Sequence, residues 1–102
     1  MKIVKVTYTT KLEYADQNSD NIKNVMNDLN KLNVPGMFYN VCLSANGKTF
    51  THTAFFKDTE DEKILLGLPA FKTFQEQLKA SVPEVTPVQE LPSLVGWSKN
   101  IF

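Results

Sequence analysis

His52 is the only histidine of this sequence, and therefore the only side chain whose ordinary pKa lets it exchange a proton near neutral pH. It lies in the middle of a β-rich run, where alternate positions share one face of a sheet. Phe50 and Phe56 would lie on that face, beside Tyr39 from the preceding run. A histidine among aromatic side chains could be a general base or could orient a phenolic substrate. The alternative is a hydrogen-bonded histidine of the wall or the core.

Tyrosine hydroxyls and one amide are further candidates for ligand binding. Tyr8, Tyr14 and Tyr39 could each hydrogen-bond a ligand, although aromatic residues of small domains more often serve packing. Asn40 lies in mid-strand, where a buried amide needs a partner, so it could bind a ligand or fix an edge. One histidine and one cysteine, Cys42, do not form a metal site, and no basic neighbour in the sequence activates that thiol.

The composition argues against several classes of partner. Eleven basic and eleven acidic residues give a net charge of zero, and every basic residue is a lysine. Without a basic field or the planar guanidinium fork, we do not expect binding to nucleic acid or to an anionic membrane surface. Charges interrupt the N-terminal stretch, so we do not expect it to be a signal peptide, and no apolar run reaches transmembrane length. We therefore expect a cytoplasmic protein.

The length predicts one domain spanning residues 1–102. A first strand is predicted over residues 2–10, where apolar and polar side chains alternate. A helix is predicted over residues 19–33, with Ser19 as its N-cap and an apolar stripe at helical spacing. Two strands then follow, over residues 37–44 and 49–57.

A two-residue turn at Asn46-Gly47 is predicted between these two strands, because both residues tolerate positive φ. Such a turn fixes the register of the hairpin. The facing pairs are then Leu43–Phe50, Val41–His52 and Tyr39–Ala54.

The last third of the chain predicts a broken helix and a final strand. The helical stretch covers residues 59–82, with a capping box formed by Thr59 and Glu62 and a new helix opening at Pro69. The strand covers residues 85–91 and contains a proline, which favours an edge position. The order β-α-β-β-α-β is that of the ferredoxin-like α+β fold, an antiparallel sheet with both helices on one face.

The predicted hairpin carries apolar side chains on both faces. One face is almost wholly apolar and includes His52 and Phe56, while the other still holds Phe38 and Phe55. Two helices cover only one face, and each large apolar side chain left exposed forgoes about 1.5–3 kcal/mol. We therefore expect a homodimer through the open sheet face. The alternative is that the apolar tail, residues 92–102, folds back over its own sheet.

The segments Phe55–Glu62 and Leu68–Phe74 carry a resemblance to a known family. A strand that ends in an acidic turn, followed by a split helix that restarts at a small-Pro-x-Phe-like motif, resembles the antibiotic-biosynthesis-monooxygenase-like branch of the dimeric α/β-barrel superfamily. The resemblance follows the order of nearly the whole chain. It implies a homodimer in which two facing sheets form a barrel whose lumen is the pocket. The activities it implies include cofactor-independent oxidation of aromatic polyketides and haem degradation.

The residues that haem-degrading relatives use are absent from the matching positions. Those relatives have an Asn, a Trp and a His where this chain has Thr7, Phe56 and Gln75, so haem chemistry is not expected and no cofactor is predicted. The resemblance would place the face that carries His52 in the lumen, whereas its apolar composition would send that face to the helices. We predict the lumen.

The leading hypothesis is a protein that binds a small apolar or aromatic molecule. Its catalytic form is an enzyme like a cofactor-independent monooxygenase, in which His52 would be the base that generates an electron-rich anion for dioxygen. The residues predicted to bind the ligand are Tyr8, Tyr39, Phe50, Phe56 and Asn40. The alternative is a non-catalytic ligand-binding or stress-related module, so the sequence leaves open whether the chain is an enzyme.

Overall fold

Four β-rich segments pair into a single sheet in the computed structural model, which describes all residues 1–102. The strands are β1 (Lys2–Thr9), β2 (Met37–Leu43), β3 (Thr49–Phe56) and β4 (Val85–Glu90). The helices are α1 (Ala15–Leu32), preceded by a single 3-10 turn (Leu12–Tyr14), α2 (Thr59–Gly67) and α3 (Pro69–Ala80). The strand order is β2-β3-β1-β4, and every neighbouring pair is antiparallel. The predicted ferredoxin-like α+β fold is confirmed.

The predicted register of the β2–β3 hairpin is confirmed over its whole length. The predicted turn is wrong, because the last backbone hydrogen bond of the hairpin runs from the Ser44 N–H to the Thr49 carbonyl and encloses a four-residue loop, residues 45–48, instead of a two-residue turn. Asn46 does not adopt positive φ; its side-chain oxygen accepts hydrogen bonds from the backbone N–H groups of Lys48 and Thr49. Gly47 alone takes positive φ, at 78°. Both turns place the same residues opposite each other, so the register is unaffected.

Helix α1 begins four residues earlier than predicted, at Ala15 rather than at Ser19. No side chain caps its N-terminus, and Ala15 is already buried, so its first turn is held by packing rather than by a cap. The helix ends at Asn33, which takes the left-handed conformation and donates its N–H to the carbonyl of Leu29 at 3.0 Å.

The capping box of α2 lies one residue before the predicted Thr59–Glu62 pair, at Asp58 and Asp61. The Asp58 N–H donates to Asp61 Oδ2 at 3.2 Å, which closes one half of the box. The Asp61 carboxylate lies so close to Gly36 that a Cβ at that position would collide with it. The start of α2, which covers one end of the sheet, therefore depends on a glycine in the α1–β2 connection.

The core lies between the helices and one face of the sheet. Helices α1 and α3 pack against each other over this face, and its buried side chains include Tyr8, Phe50, Ala54 and Phe56 from the sheet. His52 is on the same face. The prediction that this face lines a barrel lumen is wrong, because the hydrophobic area of β1 and β3 is covered by the helices of the same chain.

The open face, which we define as the sheet face away from the helices, is partly apolar. Phe38 packs edge-on against Phe55 there, with ring centroids 6.0 Å apart, and Phe38 is 45% exposed. From the C-terminal tail, the Trp97 ring lies 6.3 Å from the Phe55 ring. Phe38 and Val88 stay about half exposed on this face, so the tail touches the open face without sealing it.

Candidate ligand-binding site

A cavity of about 530 Å³ lies between the sheet and helices α2 and α3. Its floor is formed by alternate side chains of β1 and β3, which the strand period places on one face. They are Val4, Val6, Tyr8, His52, Ala54 and Phe56. Its roof comes from one face of the split helix, including Leu65, Phe71, Phe74 and Leu78. A mostly apolar cleft of this size is typical of small-molecule sites.

The cavity reaches the surface beside β4. Leu66 of α2 and Val82, after α3, line it and are half or more exposed, so the entrance has an apolar rim. Polar side chains from α3 and β4, among them Gln75, Lys79 and Gln89, also line the cavity. A molecule bound here would place an apolar body inside and could place a polar end at the rim.

The backbone is strained at this rim. Val82 adopts the left-handed conformation, with φ of 55°, which a β-branched residue rarely takes. It is held between the end of α3 and Pro83, which also lines the cavity. Its side chain is 64% exposed, so little core packing compensates for the strain. Strain of this kind is concentrated at ligand sites in many proteins.

A row of hydrogen-bonded polar groups crosses the floor of the cavity. The Asn18 amide Nδ2 of α1 donates to the Tyr8 hydroxyl at 2.8 Å. That hydroxyl lies 2.7 Å from His52 Nε2, and the Tyr39 hydroxyl lies 2.6 Å from His52 Nδ1. The four residues form what we call the polar chain, and three of them (Tyr8, His52 and Tyr39) line the cavity.

Burial sets the charge of the polar chain. Removal from water lowers the pKa of His52 from 6.5 to about 4, so the imidazole is neutral at physiological pH. Burial also raises the pKa of Tyr8 well above its usual range, and it does the same for Tyr39, to which the neighbouring Tyr8 adds a smaller contribution. Both phenols therefore stay protonated, and the site is a set of neutral donors and acceptors.

Aromatic rings enclose the histidine. The His52 ring centroid lies 5.2 Å from that of Phe74, on α3, and 5.2 Å from that of Tyr8. Phe74 also packs on Phe71, with centroids 5.6 Å apart. These rings exclude water from the imidazole, which is the physical cause of its low pKa.

The structure brings together four of the six residues predicted as site residues. His52, Tyr8, Tyr39 and Phe56 line the cavity, whereas Phe50 stacks on Tyr8 at 5.6 Å and belongs to the core beside it. The sixth residue, Asn40, does not line this cavity, so its predicted role in ligand binding stays a prediction. Asn40 is exposed on the open face, because strand alternation turns it away from the face of Tyr39.

Sequence reasoning missed Asn18, which is fully buried and orients Tyr8. The sequence gives no signal for it, because Asn18 precedes the predicted start of the helix, and it is the earlier start of α1 that places Asn18 on a buried turn. Tyr14, a further candidate for ligand binding, lies outside the cavity lining, and its buried hydroxyl oxygen has no hydrogen-bond partner. No group of three His, Cys, Asp or Glu side chains comes together as a metal-ligand set.

Comparison with known proteins identifies the fold class. No family model matches the sequence, and no curated protein sequence matches it. Solved structures do share the whole arrangement: the chain has the fold of the antibiotic biosynthesis monooxygenases, as the sequence resemblance predicted. None of the helices combines the length and the apolar character that crossing a bilayer requires.

Three of these structures show the extent of the similarity. An antibiotic biosynthesis monooxygenase superposes with a TM-score of 0.77 at 14% identity, covering 94% of this chain and 100% of that one. A protein from Bacteroides thetaiotaomicron gives a TM-score of 0.82 at 12% identity, covering 97% and 93%. A mutant of SnoaB, a cofactor-independent oxygenase from Streptomyces nogalater, gives 0.68 at 13% identity, covering 97% and 98%. At these identities the similarity establishes the fold.

Proposed function

We propose that this protein binds a small, largely apolar molecule of aromatic character in the cavity between its sheet and helices α2 and α3. The observation that carries the proposal is the polar chain at the floor of an otherwise apolar cavity of about 530 Å³. The apolar walls favour a hydrophobic body, and the few convergent polar groups provide orientation. The cavity lies within one chain, so the site is complete without a second subunit.

Calorimetric titration with fluorenone, a flat three-ring ketone, tests this proposal. Ala54→Leu adds three carbon atoms to the cavity floor, where Ala54 is buried but faces open space. We expect micromolar binding to the wild type and loss of binding in this variant. Ala70→Leu makes the same change on α3 outside the cavity lining and should bind as the wild type does. Unimpaired binding by folded Ala54→Leu would reject the site.

Cofactor-independent oxygenation is a second candidate, favoured by the mostly apolar cavity and by the oxygenase among the proteins of the same fold. An activated CH₂ group of the substrate would lose a proton, and the carbanion would give its electrons to dioxygen. One oxygen atom would end in the ketone product and the other in water, so that R₂CH₂ and O₂ give R₂CO and H₂O. His52 is the predicted base of that step.

Oxygen consumption with anthrone, which carries such a CH₂ group, tests this second candidate. We expect a rate above that in buffer, with one O₂ consumed per ketone formed and a marked decrease in His52→Gln. A rate equal to that in buffer would leave binding as the function. A rate that His52→Gln does not change would remove the assignment of His52 as base.

We also propose that two copies associate through the open face. Phe38 on β2 and Val88 on β4 are about half exposed there. Because the net charge of the chain is zero, two copies do not repel each other through their net charge. Covering this face would bury apolar area that the tail leaves exposed. Light scattering should then give twice the chain mass of 11.5 kDa. Phe38→Lys should give the monomer mass, whereas Leu32→Lys, at an exposed site on α1, should not. A wild-type monomer at micromolar concentration would contradict the proposal.

A further inference from the structure

We infer that Tyr39 presents its hydroxyl hydrogen to the bound molecule, so that the site selects ligands that carry a hydrogen-bond acceptor, such as a carbonyl or phenolate oxygen. This inference rests on the proposed function, because it names the chemistry of the ligand that occupies the same cavity. It follows from counting the protons of the polar chain.

The imidazole can donate only one of its two hydrogen bonds. His52 is buried and neutral, and a neutral imidazole has one N–H group and one nitrogen lone pair. Its two nitrogens lie 2.7 Å from the Tyr8 hydroxyl and 2.6 Å from the Tyr39 hydroxyl. His52 therefore donates to one tyrosine and accepts from the other, and the chain has a direction.

Tyr8 decides that direction. Its oxygen accepts a hydrogen bond from Asn18 Nδ2, and its side chain is only 1% exposed, so its own hydrogen needs an acceptor in the protein. The acceptor within hydrogen-bond distance is His52 Nε2. The proton of the imidazole is then on Nδ1, which donates to the Tyr39 oxygen. The hydrogen of Tyr39 is left without an acceptor in the chain.

The opposite direction leaves a buried donor without a partner. If His52 Nε2 donated to Tyr8, the hydrogen of Tyr8 would have no acceptor unless the Asn18 amide were turned over. That rotation would place an NH₂ group where Asn18 Oδ1 now lies, a buried position with no partner. Buried N–H groups without partners are rarer than carbonyl oxygens without partners, so the direction that leaves Tyr39 free is favoured.

The free hydrogen is within reach of a molecule in the cavity. Tyr39 lines that cavity beside His52. Burial keeps the phenol protonated, so it remains a donor over the physiological pH range. Successive hydrogen bonds also polarise one another, which strengthens the terminal donor.

The position of the imidazole proton tests the direction without any ligand. Histidine-selective nitrogen NMR at neutral pH gives one pair of ring signals, because His52 is the only histidine. We expect the proton on Nδ1. A proton on Nε2 would overturn the inference and would leave the proposed binding function untouched.

Three flat probes of equal size test the consequence for selectivity. Fluorenone has an acceptor, fluorene has neither donor nor acceptor, and carbazole has only a donor. We expect the wild type to bind fluorenone about tenfold more tightly than fluorene, as one hydrogen bond in a dry site implies. Tyr39→Phe should abolish that difference without changing fluorene affinity. Tyr14→Phe removes a hydroxyl outside the cavity lining and should preserve the difference.

The outcomes separate the inference from the proposed function. Equal affinities for fluorenone and fluorene, or tighter binding of carbazole than of fluorenone, would overturn the role of Tyr39 while the cavity remained a binding site. Absence of binding by all three probes would overturn the proposed function and the inference together.

Discussion

The buried neutral histidine makes the stability of this protein depend on pH in a narrow window. The pKa of His52 is about 4 in the folded state and 6.5 in the unfolded chain. Between these values the unfolded chain binds more protons than the folded one, so the free energy of unfolding falls as the pH is lowered from 6.5 towards 4. Above pH 6.5 the stabilisation is fully present, and below pH 4 the loss is complete.

The magnitude of this loss follows from the difference of 2.5 between the two pKa values. At about 1.36 kcal/mol per pKa unit, the full loss is about 3 kcal/mol, and at pH 5 about 2 kcal/mol of it is reached. For a domain whose total stability is about 5–15 kcal/mol, this change is large. Because the chain has one histidine, no second imidazole contributes to the same window.

Urea unfolding at pH 7.5, 6 and 5, at one fixed protein concentration, measures the effect. We expect the wild type to lose about 2 kcal/mol between the first and last pH. His52→Gln has no group that titrates there, so it should be less stable at neutral pH and nearly independent of pH over this range. If the free energy of unfolding changed with pH by the same amount in the two proteins, His52 would not be held neutral by burial, and the electrostatic account of the site would be refuted.

The remaining predictions concern the backbone around the cavity. Gly36→Ala should lower the free energy of unfolding by about 1–2 kcal/mol, because a Cβ displaces the Asp61 carboxylate from the cap of α2. In an Asp61→Ala background the same substitution should lower it much less. Equal losses in the two backgrounds, measured by urea unfolding, would contradict the contact. Val82→Gly should leave the unfolding free energy unchanged or raise it by up to about 1 kcal/mol, because it relieves left-handed strain at an exposed side chain. A loss above about 1 kcal/mol would show that Val82 is not strained.

Local patterns were sufficient to predict the sheet and its register. The alternation along β3 and the Asn46-Gly47 pair restricted the hairpin to one pairing, even though the turn has another conformation. Pro69 opened α3 as predicted, and the strand with Pro87 lies at the sheet edge. These features depend on residues close together in the chain, where propensity and steric restriction act directly.

The site could be predicted only in part, because its geometry depends on contacts between distant segments. Tyr8 and His52 are 44 residues apart, and their hydrogen bond exists because β1 pairs with β3 in one register. Asn18 lies on a turn of α1 that the sequence does not mark as helical. The apolar composition of the face that carries His52 indicates correctly that the helices cover it, whereas the family resemblance favours the lumen.

Intermolecular NOEs between bound fluorenone and the assigned protein test the central claim most directly. The account predicts contacts from the probe to side chains of the cavity, namely Val6, Ala54, Phe74 and Leu78, with the ketone nearest to Tyr39. Contacts confined to Phe38 and Thr53 of the open face, with none to the cavity side chains, would contradict the claim that the cavity between sheet and helices is the binding site.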